Sequence, residues 1–277
     1  MPVQAAQQEA GWQARLHLAF RRAPQRTVLA ERRREGPLAV QRAFYPEDDL
    51  CHVYLLHPPG GVAGGDELNI NVETGRNAAA LLTTPGATKF YHSVGPRARL
   101  QQNLTVTAGS LEWLPQENIL FPGADIELAT RVELKDGASF IGWEMLCLGR
   151  PVIDETFDAG MMTSLFRVTR NGRPILHERL RVNGESGLGG AAGLRGNPVT
   201  GTLCATVDAD FSIDALRERL SCPVGHELGM TVIDGLLVAR YLGGSTEVAR
   251  GLFIELWQEL RPVVLGRTPC PPRIWQT

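Results

Sequence analysis

Between residues 67 and 144 the chain repeats one pattern three times: an alternating strand, a turn at a glycine, and a second alternating strand. The turn glycines are Gly75, Gly109 and Gly137. Apolar residues at every second position indicate strands that bury one face. Because a β-turn-β unit cannot bury that face alone, such units stack on their neighbours. The repeat therefore predicts a β-helix-like stack of short strands, with an ordinary sandwich of hairpins as the alternative.

Two dipeptides after the repeat predict hairpins. Asn171-Gly172 and Asp234-Gly235 each lie between two strand-like segments. Asn-Gly and Asp-Gly are the pairs preferred in type I′ turns, whose twist matches that of the flanking strands. Pro174 cannot donate a hydrogen bond to a neighbouring strand, so the second arm of the first hairpin is expected at a sheet edge.

Two helices are predicted near the C-terminus. Ser212 is the expected N-cap of a helix over residues 213–220, and Ser245 that of a helix over residues 246–260. The second segment carries apolar residues on one face, and Pro262 is expected to stop it. The predicted fold class is therefore mainly β, with hairpins and about two C-terminal α-helices.

The length of 277 residues and a hydrophobic content of 43% permit a sizeable core. Because all-β folds exceed 200 residues as single units, we expect one domain over residues 1–277. Residues 1–11 include Gln4, Gln7, Gln8 and Glu9, and residues 268–277 are rich in proline. Both ends are therefore expected to be flexible.

Charge and cysteine usage limit the partners and the location. A net charge of -2 and a pI near 6.3 give no reason to expect nucleic acid or an anionic membrane surface as a partner. The chain has no run of 18 apolar residues and no secretory signal pattern at its start. Five widely spaced cysteines without a C-x-x-C pair suggest a reducing compartment. We therefore expect a cytoplasmic protein that does not enter a membrane.

Several common chemistries lack their motifs. Residues 187–192 fit a loose dinucleotide-binding pattern, but Gly193, Gly196 and Pro198 prevent the helix that must follow it. The sequence contains neither a P-loop nor a G-x-S-x-G elbow nor an H-E-x-x-H zinc motif. His52 and His57 are borderline metal ligands, and their simpler interpretation is packing within a strand.

Acidic residues embedded in apolar strand segments are the remaining candidates for function. Glu112, Glu117 and Glu144 each lie among large apolar neighbours. On a pleated strand each carboxylate points either to solvent or to the interior. An inward carboxylate needs a partner, a proton or a cation, because an unpaired buried charge is costly. Inward orientation would therefore indicate a polar interior feature such as a lined passage.

Three blocks resemble the UreD family of urease accessory proteins, called UreH in some species. The first is L-H-P-P-G-G-V-A-G-G-D over residues 56–66, which contains the family's spaced glycine pairs and closing aspartate. The second is L-L-T-T-P-G-A-T-K-F-Y over residues 81–91, and the third is L-E-W-L-P-Q-E over residues 111–117. Weaker similarity covers most of the remaining chain.

The resemblance implies an accessory chaperone for nickel metallocentre assembly rather than an enzyme. Members of the family bind urease apoprotein and, with UreF and the GTPase UreG, support insertion of nickel into the urease active site. The family fold is a β-helix-like stack with two helices, and an internal passage has been suggested as a route for nickel. No tightly bound cofactor is implied, only transient Ni²⁺.

The resemblance and the embedded carboxylates together give a set of candidate residues for a nickel path. A conduit must bind the ion weakly, since a full set of imidazole or thiolate ligands would trap it, whereas scattered carboxylates permit exchange. The four glycines of the first block are expected to shape a tight turn rather than to bind a ligand. The predicted path residues are Asp66, Glu112, Glu117, Glu144 and Glu178.

Two other functions stay open from the sequence. The first is a β-helical carbohydrate-active hydrolase, in which paired carboxylates about 5 to 10 Å apart would act beside Trp113 and Trp143. The second is a passive scaffold that joins urease to UreF and transfers no metal. The sequence does not indicate the oligomeric state, the interface residues or the nickel affinity.

Overall fold

The computed structural model describes residues 11–208 and 210–276, so most of the predicted flexible end at residues 1–11 lies outside the described residues. Within those ranges the chain forms eighteen strands and two α-helices. The strands are β1 (Gln13–Arg22), β2 (Thr27–Glu35), β3 (Ala39–Val40), β4 (Cys51–Leu56), β5 (Glu67–Thr74), β6 (Ala79–Thr83), β7 (Thr88–Phe90), β8 (Ala98–Thr107), β9 (Ser110–Leu114), β10 (Asn118–Leu120), β11 (Asp125–Lys135), β12 (Ser139–Arg150), β13 (Glu155–Thr156), β14 (Met161–Arg170), β15 (Arg173–Asn183), β16 (Val199–Thr206), β17 (Glu227–Ile233) and β18 (Leu236–Gly243). The helices are α1 (Asp214–Arg219) and α2 (Thr246–Leu265).

Two sheets organise these strands, and the repeat alternates between them. The seven-stranded sheet has the order β15-β14-β11-β8-β5-β1-β2, and the main path of the second sheet is β17-β18-β16-β12-β9-β6-β4-β3. The first strand of each repeat unit lies in the seven-stranded sheet and the second lies in the second sheet. Successive units pair in parallel, as β5 with β8 and β6 with β9. The prediction of a mainly β fold is confirmed.

The turn glycine of the second unit, Gly109, has a steric cause. A Cβ added to Gly109 would lie 2.5 Å from the carbonyl oxygen of Gly75 and 2.6 Å from that of Ala78. Real Cβ atoms do not approach backbone oxygens so closely, so only glycine fits where one unit stacks on the previous one. The glycine at the corner between the sheets therefore indicates stacking of successive units, as the alternation along the strands does.

Both predicted hairpins form. The turn residues Asn171 and Gly172 have φ values of 48° and 77°, and Asp234 and Gly235 have φ values of 48° and 70°. Two successive positive φ values define the type I′ turn that these pairs predict. The strand that begins beside Pro174 is β15, the edge of the seven-stranded sheet, as expected.

Apolar side chains form two layers of core. One layer fills the space between the sheets, where Leu18 and Val72 of the first sheet pack with Leu82 and Phe140 of the second. The other layer lies between the second sheet and α2. The second sheet is therefore buried on both faces. Residues that alternate along its strands point either towards the seven-stranded sheet or towards α2.

Both predicted helices form, but the predicted end of one and the predicted N-cap of the other need correction. Ser245 caps α2, because its Oγ accepts a hydrogen bond from the Val248 amide at 3.3 Å. The prediction that Pro262 stops this helix is wrong: a proline in the last turn removes only one hydrogen bond, and the helix continues to Gly266 in the left-handed region. Helix α1 begins at Asp214, and Ser212 is not its N-cap.

The segment that we expected to be a flexible C-terminal end contacts the core along α2. The Trp275 ring lies 5.8 Å from that of Trp143 and 5.6 Å from that of Trp257, measured between centroids. Its Nε1 donates to Thr83 Oγ1 at 3.1 Å. In the described part of the chain, neither helix has the length and apolar character needed to span a lipid bilayer.

Candidate functional site between the two sheets

The first motif block folds into a turn that Asp66 holds closed. The Asp66 side chain is buried, and each of its carboxylate oxygens accepts a backbone hydrogen bond. Oδ1 accepts from the Trp12 amide at 2.7 Å, and Oδ2 accepts from the Ala63 amide at 2.8 Å. The carboxylate thus ties the block to the chain just before β1.

The glycines of this block have the structural role that the sequence predicts. Gly60 and Gly65 have φ values of 80° and 88°, which disfavour residues with a Cβ. A Cβ on Gly61 would lie 2.1 Å from the Tyr91 ring. The close approach places His57 and Gly61 at the wall of a cavity between the sheets.

Glu112 points away from that cavity, towards α2. Its carboxylate is fully buried and accepts hydrogen bonds from Arg261 Nε at 2.9 Å and Arg261 Nη2 at 3.0 Å. Trp257 Nε1 donates a third hydrogen bond, at 2.6 Å. Glu112 is therefore a fully partnered carboxylate between the second sheet and α2.

Arg261 also joins Glu112 to a second acidic residue. Arg261 Nη2 lies 2.7 Å from Glu47 Oε1, and His52 Nε2 lies 2.8 Å from the same oxygen. Burial by itself would raise the Glu47 pKa, but the hydrogen bonds from His52 and Arg261 lower it. His52 is thus a packed histidine with Nε2 bonded to Glu47 and with Nδ1 buried without a partner among the described residues. Its packing agrees with the simpler interpretation of its sequence context.

Glu117 lies in the loop before β10 and is half-buried. Its carbonyl oxygen accepts a hydrogen bond from the Thr88 amide at 3.0 Å, which links two short strands of the second sheet. Burial, followed by the Glu117 charge, raises the pKa of Cys147 to about 12. The Glu117 carboxylate is therefore close enough to Cys147 for its charge to act on the thiol.

Glu144 points into the space between the sheets. Thr130 Oγ1 donates to Glu144 Oε2 at 2.8 Å, and Ser164 Oγ donates to Oε1 at 2.8 Å. Thr130 Oγ1 also lies 3.0 Å from Gln102 Oε1. A hydroxyl group has one proton and can donate to only one of these acceptors at a time. A protonated Glu144 that donates to Thr130 would satisfy all three groups.

The environment of Glu144 favours that protonated form. Burial raises the Glu144 pKa, and the negative charge of Glu178 raises it further. The hydrogen bonds from Thr130 and Ser164 lower it, but burial is the largest effect. Glu144 is thus a buried carboxyl group without a cationic partner among the described residues, in contrast to Glu112.

Two cavities between the sheets share Glu144 as part of their walls. The first has a volume of about 210 Å³ and the second of about 310 Å³. Polar groups occur in both walls although apolar side chains dominate the first. In the first cavity they are His57, Thr84, Thr88, Lys89, Gln102, Gln116, Asn118 and Glu144. In the second they are Glu144, Ser164, Glu178, Arg179, Thr200, Thr202 and Arg240.

Glu178 lies in the second cavity, towards solvent. Thr202 Oγ1 donates to Glu178 Oε2 at 2.9 Å, and Arg240 Nε donates to the other oxygen. The side chain of Glu178 is 24% exposed. The glycine-rich loop contributes Gly193 and Leu194 to the same wall. Glu178 is therefore an accessible carboxylate on the same cavity as the buried Glu144.

His57 contributes an unpaired nitrogen to the first cavity. Its Nε2 is buried and has no hydrogen-bond partner among the described residues. Burial lowers the His57 pKa, while the charge of Asp66 acts in the opposite direction. A neutral imidazole with a free ring nitrogen is the form that can accept a proton or coordinate a metal.

The structure thus brings together two of the five predicted path residues. Glu144 and Glu178 line one cavity, whereas Asp66 closes a turn, Glu112 faces α2 and Glu117 lies near Cys147. Sequence reasoning missed Gln102, Thr130 and Ser164, because neutral polar residues on alternating strands give no signal of inward orientation. Across residues 11–208 and 210–276, no three His, Cys, Asp or Glu side chains are grouped to hold a metal.

The geometry of the tryptophans disfavours the hydrolase alternative. Trp113 and Trp143 are 2% and 1% exposed, so neither forms an aromatic platform at a surface. They lie in different core layers. Glu112 and Glu144 likewise point to opposite faces of the second sheet. A pair of carboxylates around one sugar-binding cleft is not formed by these residues.

Comparison with known proteins identifies a single family. The family described as UreD urease accessory protein matches residues 13–276. A urease accessory protein UreD from Alcanivorax borkumensis is 47% identical, over 96% of this chain and 93% of the relative. The UreD protein of Citrobacter koseri is 45% identical, over 96% of this chain and 92% of the relative. That of Pseudomonas entomophila is 44% identical, over 99% and 98%.

Proposed function

The chain belongs to the UreD family of urease accessory proteins, and we propose that it assists nickel insertion into urease by offering Ni²⁺ a path between its two sheets. Members of this family are accessory factors for urease maturation rather than enzymes. The observation that carries the proposal is the position of Glu144 in the walls of both cavities. A carboxylate there meets any cation that passes from one cavity to the other.

The chemistry of Glu144 suits a transient cation. In the empty protein the raised pKa favours the protonated carboxyl group, in which no unpaired charge is buried. When Ni²⁺ arrives, the carboxyl group loses its proton and the carboxylate binds the ion, because metal ligands must be deprotonated. The proton returns when the ion moves on. The cost of burying a charge is thus incurred only while the cation is present.

The other groups along the path are weak ligands for Ni²⁺. Hydroxyl and amide oxygens of Thr130, Ser164 and Gln102 surround Glu144, and none of them binds a divalent ion tightly alone. Glu178 is the next carboxylate, in the second cavity. The cavity walls also contain the imidazole of His57 and the cations Lys89 and Arg240. Single carboxylates among weak ligands allow the ion to exchange between positions and do not retain it.

The partners follow from the family. We propose that urease apoprotein receives the nickel, that UreF binds this chain in the maturation complex, and that UreG supplies GTP hydrolysis through UreF. We also propose the cytoplasm as the location. All five cysteines are free thiols, which supports a reducing compartment. The alternative is a scaffold that binds the same partners and moves no metal.

Glu144→Gln is the sharpest test of the path. Glutamine keeps an oxygen to accept from Ser164 and an NH₂ group to donate to Thr130, so it mimics the protonated acid but cannot ionise. We expect urease activation at limiting nickel to fall in Glu144→Gln, with a smaller fall in Glu178→Gln. The measurement is urease activity in cells that express the urease subunits and the accessory proteins.

Two controls separate transport from assembly. Glu73→Gln removes a carboxylate from an exposed position of β5 and should leave activation unchanged. Co-purification of Glu144→Gln and Glu178→Gln with the urease subunits and UreF should match the wild-type chain, because Glu144 is buried and Glu178 lines a cavity. If Glu144→Gln and Glu178→Gln both activate urease at the wild-type rate, the passive scaffold is the better account.

A further inference from the structure

A row of hydrogen-bond donors crosses the outer face of the seven-stranded sheet, away from the two cavities. Strand register places one residue of the row directly opposite the next on all seven strands. Every member carries a donor, and none is a carboxylate. We call this set the donor row. Its members, in spatial order, are Arg33, His17, Asn71, Asn103, Arg131, Arg167 and His177.

Two unpaired cations are adjacent near the β15 end of the donor row. Arg131 and Arg167 are direct partners on the parallel strands β11 and β14. Like charges placed directly opposite each other destabilise a sheet. Neither arginine forms an ion pair with any residue in the described ranges, and Arg167 Nε is buried without a hydrogen-bond partner. The two guanidinium groups therefore lack a counter-charge within the described chain.

The row on one side of the donor row contains Glu31, Glu73 and Glu133, whereas the row on the other side is almost free of acids. It consists of Arg15, Asn69, Gln101, Ala129, Leu165 and Arg179, with Glu35 opposite Arg15 at the sheet edge. Apart from Glu35 at the sheet edge, this strip of two rows has no acidic side chain, even though the whole protein has a net charge of -2. The positive strip is a local property of this face.

The strip contains two shallow depressions, one on each side of Arg131. One, of about 310 Å³, also includes Arg167, and the other, of about 290 Å³, includes Arg179. Each depression has one glutamate in its wall, and each glutamate is engaged. Glu133 accepts from the Gly172 amide at 2.9 Å, and Glu127 lies 3.7 Å from Arg99 Nε.

We propose that this strip is a docking surface for an extended, acidic segment of a partner protein, anchored at Arg131 and Arg167. Carboxylates are the natural complement to guanidinium groups, which bind them through paired hydrogen bonds. With strands about 4.8 Å apart, the donor row is about 29 Å long. An extended segment of about nine residues has that length, whereas a small anion would engage only one pair of arginines.

The test measures peptide binding to the full chain and does not depend on urease activation. The probe is a fluorescein-labelled nonapeptide of alternating glutamate and serine, followed by fluorescence anisotropy at low salt. We expect the double variant Arg131→Gln/Arg167→Gln to weaken binding about tenfold, which corresponds to about 1.4 kcal/mol. Arg131→Gln alone should weaken it by a smaller factor.

A matched double variant controls for net charge. Arg32 and Arg34 are exposed on the opposite side of the edge strand β2, so Arg32→Gln/Arg34→Gln removes the same charge elsewhere. We expect this variant to bind the peptide like the wild-type chain. Equal losses in both double variants would mean non-specific attraction and would overturn the proposal.

Two further binding measurements distinguish a docking surface from a small-anion site. The matching lysine-serine peptide should not bind. Inorganic phosphate should compete only at concentrations far above the dissociation constant of the peptide. Phosphate that competes as strongly as the peptide would overturn the proposal in favour of a small-anion site. This surface faces away from Glu144. Failure of the docking proposal would therefore not count against the proposed nickel path.

Discussion

Arg261 of α2 and Glu112 of β9 form a fully buried ion pair with two hydrogen bonds, Nε to Oε2 at 2.9 Å and Nη2 to Oε1 at 3.0 Å. The same guanidinium contacts Glu47 and the Thr268 carbonyl oxygen. Arg261 thus attaches the long helix both to the second sheet and to the C-terminal segment. This places Glu112 in a structural arrangement that differs from that of Glu144.

Replacement of Arg261 should therefore lower the free energy of unfolding of the chain. Arg261→Met leaves Glu112 without a counter-charge and Glu47 with only His52 as its partner. Breaking a buried pair in this way costs about 3–5 kcal/mol. Urea denaturation of the purified chain measures the loss. Arg219→Met is the control, because Arg219 pairs with Glu259 at an exposed position and should contribute less than about 1 kcal/mol. Equal stabilities of the two variants would show that the buried pair contributes little.

Asp66→Asn should destabilise the first motif block although asparagine has nearly the same shape. Both Asp66 oxygens accept amide hydrogen bonds, and asparagine has only one acceptor oxygen, so one buried N–H group faces an NH₂ donor. We expect a loss of about 1–3 kcal/mol in the free energy of unfolding. The exposed Asp158→Asn is the matched control. An unchanged stability of Asp66→Asn would leave its carboxylate free for a role in the nickel path.

The strands and hairpins were predictable because their signals are local. Each signal acts over a few residues: the period-two alternation of a strand, the Asn171-Gly172 turn and the Ser245 cap. The structures that they predict all form. Which embedded glutamate faces which layer was not predictable, since a strand buried on both faces has no polar side to set its orientation. Glu112 and Arg261 are 149 residues apart, so no spacing in the sequence indicates that they meet.

The turn glycine of the second repeat unit should tolerate no side chain. Gly109→Ala places a Cβ against two backbone oxygens, which can separate only if the stacked units move apart. Overpacking of this kind typically costs about 1–3 kcal/mol. Thermal unfolding of Gly109→Ala is the measurement, and Gly86→Ala, with no heavy atom within 4 Å of its added Cβ, is the control. Similar unfolding temperatures for both variants would contradict the close stacking at this corner.

Glu144 should make the stability of the wild-type chain fall as the pH rises. Burial raises its pKa in the folded state, so between the unfolded value of about 4.5 and the folded value the native chain holds a proton that the unfolded chain has lost. The unfolded state binds fewer protons there, and the free energy of unfolding therefore decreases with rising pH. Above the folded pKa this decrease ends.

Glu144→Gln removes this dependence without removing the hydrogen bonds. Glutamine is neutral at every pH and resembles the protonated acid, so all other titrations are shared with the wild-type chain. We expect the difference in unfolding temperature, variant minus wild type, to increase from pH 5 upwards and then to level off. Glu73→Gln, at an exposed site, is the control for loss of a carboxylate that is not buried. A constant difference for Glu144→Gln would mean that Glu144 titrates at its ordinary pKa. The carboxylate would then carry its charge without a cation, and the proton exchange proposed for nickel transfer would lose its basis.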